Sequence, residues 1–207
     1  MVLDAPGTLK DPAEIARRRA LLSGPHVAPL AAFVQSLRGK TYGHVPDFDP
    51  LDGGVRAQAL FLFEKPGPKA ARSGFISRNN NDSTAEHTFR FMVQAGLPRE
   101  QVCLWNAIPG WNDTIKVAGA ELRQGIDCLG ELLGLLPVLR AVVLVGRKAE
   151  RARPLLEGRG YEIAFSWHPS PKNYSMAREK WLSIPEKWAS IKPLLACAHR
   201  PSADPTT

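Results

Sequence analysis

Four short apolar runs, each followed by a segment of helical character, constrain the fold of this chain more than any other feature. The runs ALFLFE, QVCLWNAIP, AVVLVG and YEIAFSW occupy residues 59–64, 101–109, 141–146 and 161–167. They are too short for typical helices and nearly all apolar, as the buried strands of a parallel sheet are. Because helical segments alternate with them, the pattern predicts an α/β fold with three layers, α/β/α, around a central four-stranded parallel sheet.

The helical segments carry recognisable start and stop signals. Ser83 and Glu86 predict a capping box, and Gly96 marks the end of the same helix. The predicted helices cover residues 11–22, 26–38, 83–98, 119–137, 147–156 and 175–195, the last in two pieces around Pro185.

Length and composition fit one globular domain over residues 1–207. We expect a helical layer and loop over 1–55, an α/β core over 56–196 and a disordered tail over 197–207. No apolar stretch reaches the roughly 18 residues of a membrane span, and the N-terminus lacks the apolar segment of a secretory signal. The three widely spaced cysteines, Cys103, Cys128 and Cys197, indicate reduced thiols in a cytoplasmic protein.

The charge of the chain points to a polyanionic partner. Lysine and arginine outnumber acidic residues by 27 to 20, which gives a net charge of +7. Such a balance favours nucleic acid, because basic side chains release counterions from a phosphate backbone. No membrane association and no obligate protein partner are expected. A nucleotide-binding enzyme is disfavoured, because no GxxxxGK[ST] or GxGxxG loop follows any strand.

Polar side chains stand where each predicted strand ends. Glu64 ends the first strand, Asn106 lies near the end of the second, and Arg147 and His168 follow the third and fourth. The carboxyl ends of parallel strands meet at one edge of the sheet, where ligands of open α/β folds bind. The convergence of a carboxylate, an amide, a guanidinium and an imidazole predicts an active site at this edge.

Four segments resemble, in the same order, the motifs of the uracil-DNA glycosylase superfamily. FEKPGPKA at 63–70 resembles the first motif with its Pro-Gly turn, and SGF at 73–75 resembles the segment that supplies a base-stacking aromatic residue. LWNAIPG at 104–110 resembles the strand end with a base-reading asparagine, and HPSP at 168–171 resembles the second motif. The resemblance spans about residues 58–175.

The chain departs from this family at two positions of the first motif. Phe63 stands where glycine is usual, and Lys65 stands where some branches carry an aspartate or asparagine. Glu64 matches the branch with a Glu-x-Pro-Gly turn, whose members hold an iron–sulfur cluster on four cysteines. Three cysteines at other spacings predict a member without that cluster, and no cofactor is expected.

The resemblance implies an enzyme that flips uracil out of DNA and hydrolyses its N-glycosidic bond without a metal, leaving an abasic site. Phe75 would stack on the base, Asn106 would read its edge, and the Pro66–Gly67 turn would contact it. His168 would stabilise the negative charge of the departing uracil. Glu64 would orient or activate the attacking water.

Other polar residues are predicted to share this work or to hold the DNA. Asp82, Asp113 and the asparagine turn Asn79, Asn80 and Asn81 are alternatives to Glu64 for placing the water. Tyr174 or Met176 is predicted to wedge into the emptied base stack. The predicted phosphate contacts are Ser170, Lys172, Arg147, Lys69, Arg72, Arg78 and Lys148.

Two alternatives to uracil excision stay open. The first is a glycosylase for another deaminated base, such as hypoxanthine or xanthine. The second is a catalytically inactive relative that binds DNA, a hypothesis that Phe63 and Lys65 motivate. The expected partner is DNA that contains uracil, either single-stranded or double-stranded.

Overall fold

A computed structural model describes residues 4–40 and 43–195, and a parallel sheet forms its centre. In chain order the strands are β1 Asp47–Phe48, β2 Ala59–Phe63, β3 Phe75–Ile76, β4 Val102–Asn106, β5 Ala141–Val145 and β6 Glu162–Ser166. Four of them form a parallel sheet in the order β4-β2-β5-β6, which confirms the predicted α/β fold. Strands β1 and β3 pair separately. The sequence did not predict them, because two-residue strands carry no readable pattern.

The central strands are covered on both faces. Every residue of β2, β4 and β5 is buried, whereas the edge strand β6 is mostly half-buried. Burial on both faces explains why these strands are continuous apolar runs without alternating polar residues.

Helices precede, separate and follow these strands. They are α1 Pro12–Ala20, α2 Ala28–Leu37, α3 Pro68–Ser73, α4 Ser83–Gln94, α5 Gly119–Gly134, α6 Arg153–Leu156, α7 Pro171–Met176, α8 Arg178–Leu182, α9 Ile184–Ala189 and α10 Lys192–Leu195. The six-residue α3 was not predicted. The C-terminal helix predicted in two pieces is divided into shorter helices, with one break at Ser183, and Pro185 lies in the first turn of α9 directly after that break. This position suits proline, whose missing N–H has no helical partner there.

The start of α4 corrects the predicted capping box. The N-cap is Asp82, whose carboxylate accepts a hydrogen bond from the backbone N–H of Ala85 at 3.0 Å. Ser83 is the first helical residue, and Glu86 pairs with Arg90 at 2.6 Å. Aspartate and serine are both good N-caps, so the sequence is compatible with an N-cap at either Asp82 or Ser83.

One hydrophobic core joins the sheet to the N-terminal helices. Leu30, Phe33 and Leu37 of α2 belong to the same buried cluster as the strands, and Phe48 stacks on Trp105 with ring centroids 4.2 Å apart. Cys103 is a free thiol, and burial raises its pKa. The predicted tail and Cys197 lie outside the described residues. None of the described helices combines the length and apolar character needed to cross a membrane.

A network of buried charges joins α1 to Asp49, which follows β1, and to Arg99, which precedes β4. The guanidinium of Arg18, on α1, is fully buried and lies 3.0 Å from the Glu14 carboxylate and 2.6 Å from that of Asp49. Arg99 contacts Asp49 at 2.5 Å from the other side. Burial acts to raise the pKa of Asp49, but the Arg99 and Arg18 guanidiniums outweigh it and hold this pKa below its usual range.

Arg18→Met should destabilise the fold by about 3–5 kcal/mol, because it removes a fully buried guanidinium that pairs with the buried carboxylates of Glu14 and Asp49. The neighbouring Arg19 is exposed, so Arg19→Met should change the free energy of unfolding by at most about 0.5 kcal/mol. Urea unfolding of both variants measures the difference. Equal, small effects would show that the network contributes little to stability.

Candidate functional site

A cavity of about 730 Å³ opens at the carboxyl ends of the strands. Glu64, Asn106 and His168 all line it, so the structure brings together the three polar residues that the sequence placed after strands β2, β4 and β6. The volume lies within the range of roughly 300–1,000 Å³ that is usual for small-molecule sites.

Asn106 presents an amide that is not bonded to the protein. It is the last residue of β4, lies opposite Phe63 of β2, and is 5% exposed. Its side chain makes no hydrogen bond with any described residue, and it lines the cavity. Beyond it, the N–H of Ile108 donates to the carbonyl of Glu64 at 3.0 Å, which fixes the backbones of the two site residues relative to each other. The Asn106 amide is therefore placed to bind a ligand.

Glu64 is partly buried at the cavity wall. Its Oε1 accepts a hydrogen bond from the Lys148 backbone N–H at 3.4 Å. Burial raises the pKa of this carboxyl, opposed by that hydrogen bond and the Lys148 charge. Gly146 makes room for it: its φ is 93°, and a Cβ there would lie 2.6 Å from Oε1. A carboxylate with a raised pKa suits proton transfer.

Within the described residues, Glu64 has no ion-pair partner. Lys65, the next residue in the chain, lies 2.7 Å from the Glu121 carboxylate. Arg147, which follows β5, stacks over the ring of Trp167 at 5.7 Å. The Glu64 carboxylate therefore keeps its capacity to accept a proton or to bind water.

His168 follows β6 and is held by its neighbours while its ring stays free. The Asn173 side chain donates to the His168 carbonyl at 2.9 Å, and His87 Nδ1 is 2.9 Å from the carbonyl of Pro169. The imidazole packs edge-to-face on Phe63 at 5.8 Å and bonds no described residue. Burial lowers the pKa of His168 to about 4, so the ring is neutral at pH 7 and offers one N–H donor.

The aromatic wall of the cavity differs from the prediction. Phe75 is fully buried and does not line the cavity. Phe63 does line it, at the residue where the chain departs from the usual glycine. The signal for Phe63 was present, since it directly precedes Glu64 at the end of β2. For Phe75 there was no such signal, because a strand of two residues shows no pattern from which the direction of its side chains can be predicted.

The carboxylates considered as alternatives to Glu64 are occupied. Asp82 lines the cavity, but it caps α4. Asp113 lies outside the cavity and accepts a hydrogen bond from Trp111 Nε1 at 3.1 Å.

The asparagine turn is also committed to structural contacts. The Asn79 side chain accepts from Arg99 at 2.7 Å and donates to Asp4 at 3.0 Å. The Asn80 side chain accepts from Ser73 at 2.7 Å and donates to the Phe75 carbonyl at 2.9 Å. Asn81 is exposed and does not line the cavity. These contacts leave Glu64 as the best-placed group for holding a water.

The predicted phosphate contacts fall into two sets. Lys69, Ser170 and Lys172 line the cavity together with Pro66 and Gly67. The exposed residues Arg72, Arg147 and Lys148 lie outside it.

Arg78 requires a correction. It is buried, its guanidinium donates to Asp4 at 3.0 Å, and it stacks over Phe89 at 5.1 Å. Arg78 does line the cavity, but its charge is paired with Asp4, so it is not the free phosphate contact that was predicted. The sequence could not show this, because Asp4 lies far from Arg78 along the chain.

A buried lysine fixes the segment that follows β4. Lys65 Nζ donates to Asn112 Oδ1 at 2.5 Å and to the Lys116 carbonyl at 3.2 Å, besides its ion pair with Glu121. Its side chain is 5% exposed. Residues 112–121 are thereby tied to the first motif, and Ile115 and Val117 of this segment line the cavity. The sequence presented Lys65 as an anomaly and did not reveal these partners.

The family model described as the Uracil DNA glycosylase superfamily matches residues 52–190 of the chain. This match covers more than half of the sequence and includes Glu64, Asn106 and His168. The chain belongs to the uracil DNA glycosylase superfamily.

The solved structures that are similar to the chain include the following two. One is the solution structure of a candidate uracil DNA glycosylase from Methanosarcina acetivorans, at 20% identity and a TM-score of 0.43, covering 70% of this chain and 94% of that one. The other is the crystal structure of a mimivirus UNG variant in complex with UGI, at 13% identity and a TM-score of 0.41, covering 78% of this chain and 70% of that one. No curated protein matches the chain significantly.

Proposed function

We propose that this protein is a monofunctional uracil-DNA glycosylase, which releases uracil from DNA and leaves an abasic site. The observation that carries the proposal is the amide of Asn106, which bonds no described residue and lines one cavity with Glu64 and His168. Family membership supports a glycosylase that acts on DNA. The net charge of +7 supports a polyanionic substrate.

Asn106 would select the base. An amide can accept a hydrogen bond from uracil N3–H and donate one to O4. Cytosine presents an acceptor at N3 and a donor at N4, so it would leave buried polar groups unpaired. A mismatch of this kind is a strong discriminator in enzyme sites built from hydrogen bonds.

The bond cleavage would use Glu64 and His168 in complementary roles. A water held by Glu64 attacks C1′ of the flipped nucleotide as the bond from C1′ to N1 breaks, and Glu64 accepts the proton of this water. The bonding electrons leave with uracil, whose negative charge spreads over N1 and O2. The neutral His168 ring donates its N–H to O2 and stabilises that charge as it develops.

The remaining cavity residues would hold the nucleotide. Phe63, whose ring already packs against His168, replaces Phe75 as the proposed aromatic contact with the base. The Pro66–Gly67 turn would contact the substrate beside it. Lys69, Lys172 and Ser170 would bind the flanking phosphates.

Asn106→Asp tests the proposal and the identity of the base. An ionised aspartate cannot donate to O4, so uracil release should fall by about 10⁴-fold in kcat/KM, the discrimination typical of lost buried hydrogen bonds. The affinity for DNA should change only slightly, because phosphate contacts dominate it. The assay uses labelled oligonucleotides with one uracil, hypoxanthine or xanthine, followed by alkaline cleavage at abasic sites.

Each outcome of this assay separates the candidate functions. Cleavage by the parent at uracil, lost in Asn106→Asp with DNA binding retained, supports the proposal. Faster cleavage at hypoxanthine or xanthine would assign a different deaminated base. Salt-dependent DNA binding without cleavage at any of the three bases would identify a DNA-binding relative.

A further inference from the structure

We propose that His87 positions the ring of His168, because it holds the loop that carries His168 through the carbonyl of Pro169. This inference rests on the proposed function and deepens it, since it names a further residue on which the rate of uracil release depends. His87 lies on α4 and does not line the cavity, so it acts on the substrate only through His168.

The first observation is that no hydrogen bond orients the ring of His168. A histidine that acts in catalysis is commonly oriented by a hydrogen bond at its second ring nitrogen. The His168 ring bonds no described residue and packs edge-to-face on Phe63 at 5.8 Å. The direction of the ring must therefore depend on where the backbone of His168 and Pro169 is held.

The second observation is that the backbone of this loop depends on side chains for its hydrogen bonds. Pro169 and Pro171 have no N–H to donate. Among the described residues, no other backbone group forms a hydrogen bond with the backbone of His168 or Pro169. The Asn173 side chain donates to the carbonyl of His168 at 2.9 Å, and His87 Nδ1 lies 2.9 Å from the carbonyl of Pro169.

The two side chains hold the loop in different ways. Asn173 belongs to α7, which begins at the end of the same loop, so its bond is local. His87 is 82 residues away along the chain, on α4. The bond from His87 therefore ties the loop to the rest of the fold, and it reaches the residue directly after His168.

The ring of His87 is itself fixed by aromatic neighbours. It stacks on Phe91 at 6.2 Å and packs edge-to-face on Trp181 at 4.9 Å. Tyr174, one of the two predicted wedge residues, packs in turn on Trp181 at 4.9 Å. A carbonyl oxygen only accepts hydrogen bonds, so Nδ1 of His87 must carry the hydrogen. The packed ring thus presents a rigid N–H donor to the carbonyl of Pro169.

The expected effect follows from the geometry that catalysis requires. A misplacement of about 1 Å at a reacting centre can cost about 10²-fold in rate. Without the bond from His87, the carbonyl of the buried Pro169 loses its partner and the His168 ring loses its fixed position. His168 acts mainly in the transition state, so the loss should fall on kcat and not on the affinity for DNA.

The experiment replaces His87 with two amides of different length. The asparagine amide nitrogen lies about where Nδ1 lies, so His87→Asn keeps the bond and should keep most of the rate. The glutamine amide reaches to the position of Nε2, so His87→Gln should lower kcat by about 10- to 100-fold. The half-saturating concentration should change by about two-fold or less, because phosphate contacts dominate affinity. Single-turnover cleavage of a labelled uracil oligonucleotide over a range of protein concentrations measures both quantities.

His26 offers a matched control, because it makes the same kind of bond away from the cavity. Its Nε2 lies 2.9 Å from the carbonyl of Pro50, and neither residue lines the cavity. His26→Asn is too short to keep this bond. It should lower the midpoint of thermal unfolding about as much as His87→Gln does, but leave kcat unchanged. Equal losses of kcat in the two variants would make the effect one of general stability and would overturn the positioning role.

A double-mutant cycle tests whether His87 acts through His168. In a His168→Ala background, His87→Gln should change kcat by about two-fold or less, because the ring that it positions is absent. A full loss in that background would overturn the inference. An unchanged kcat in folded His87→Gln, or equal losses in His87→Asn and His87→Gln, would also overturn it.

A readout independent of catalysis separates this inference from the proposed function. The ring signals of His168 in the NMR spectrum of the histidine-labelled protein are assigned by their absence in His168→Ala. His87→Gln should shift these signals, whereas His87→Asn and His26→Asn should leave them near their parental positions. If the parent cleaves no oligonucleotide but these shifts occur, the proposed function fails and the positioning of His168 stands. Unshifted His168 signals in His87→Gln would overturn the positioning role.

Discussion

His168→Ala should lower kcat for uracil release by about 10²–10³-fold, the usual loss when one donor to a developing anion is removed. The affinity for uracil-containing DNA should stay nearly constant, because the donor acts mainly in the transition state. His168→Asn should recover part of the rate, since its side-chain amide also carries an N–H. Single-turnover cleavage of a labelled oligonucleotide measures both variants.

The pH dependence of this effect follows from the burial of His168. Its pKa of about 4 keeps the ring neutral above that pH, so the ratio of parent to His168→Ala rates should stay constant from about pH 5 to pH 8. A ratio that grows as the pH falls through 6.5 would mean that the imidazolium is the active form. That result would contradict the neutral donor proposed here.

Glu64→Gln should lower kcat/KM by about 10²–10⁴-fold, the range for loss of a general base. The carboxylate is the active form, so the parent should lose activity as the pH falls through the pKa of Glu64. Burial raises this pKa above the usual value of a glutamate side chain, so the acid limb lies at a higher pH than an exposed carboxyl would give. The residual rate of Glu64→Gln should lack this limb.

Glu157→Gln is the matched control, because Glu157 is exposed and does not line the cavity. It should retain both the rate and the acid limb of the parent. If Glu64→Gln keeps the parental rate, the water must be held by another group. Asp82, the other acidic alternative that lines the cavity, would then be the next residue to replace.

The features that were predictable from the sequence are those with a local physical signal. Buried parallel strands are largely apolar, so β2, β4 and β5 were predicted close to their observed bounds, as was the half-buried edge strand β6. Parallel strands end at one edge, so Glu64, Asn106 and His168 were expected together, and they line one cavity.

The features that were not predictable depend on contacts between distant parts of the chain. In the sequence Arg78 resembles an unpaired basic residue, and only the structure shows that its guanidinium donates a hydrogen bond to Asp4. Lys65 looked out of place until its partners in residues 112–121 were known. In α1, Arg18 belongs to a helix with many charged residues, and only its contact with Asp49 distinguishes it from a solvated side chain.

Asp4 links the start of the described chain to the wall of the cavity. Its carboxylate binds Arg78, which lines the cavity, and also Arg99 and Asn79 of the buried network. A protein preparation that begins after Asp4 would leave the Arg78 guanidinium without this counterion, next to the proposed substrate. The residue at which an expressed protein begins therefore affects the charge of the cavity wall. Affinity tags are better placed at the C-terminal end of the chain.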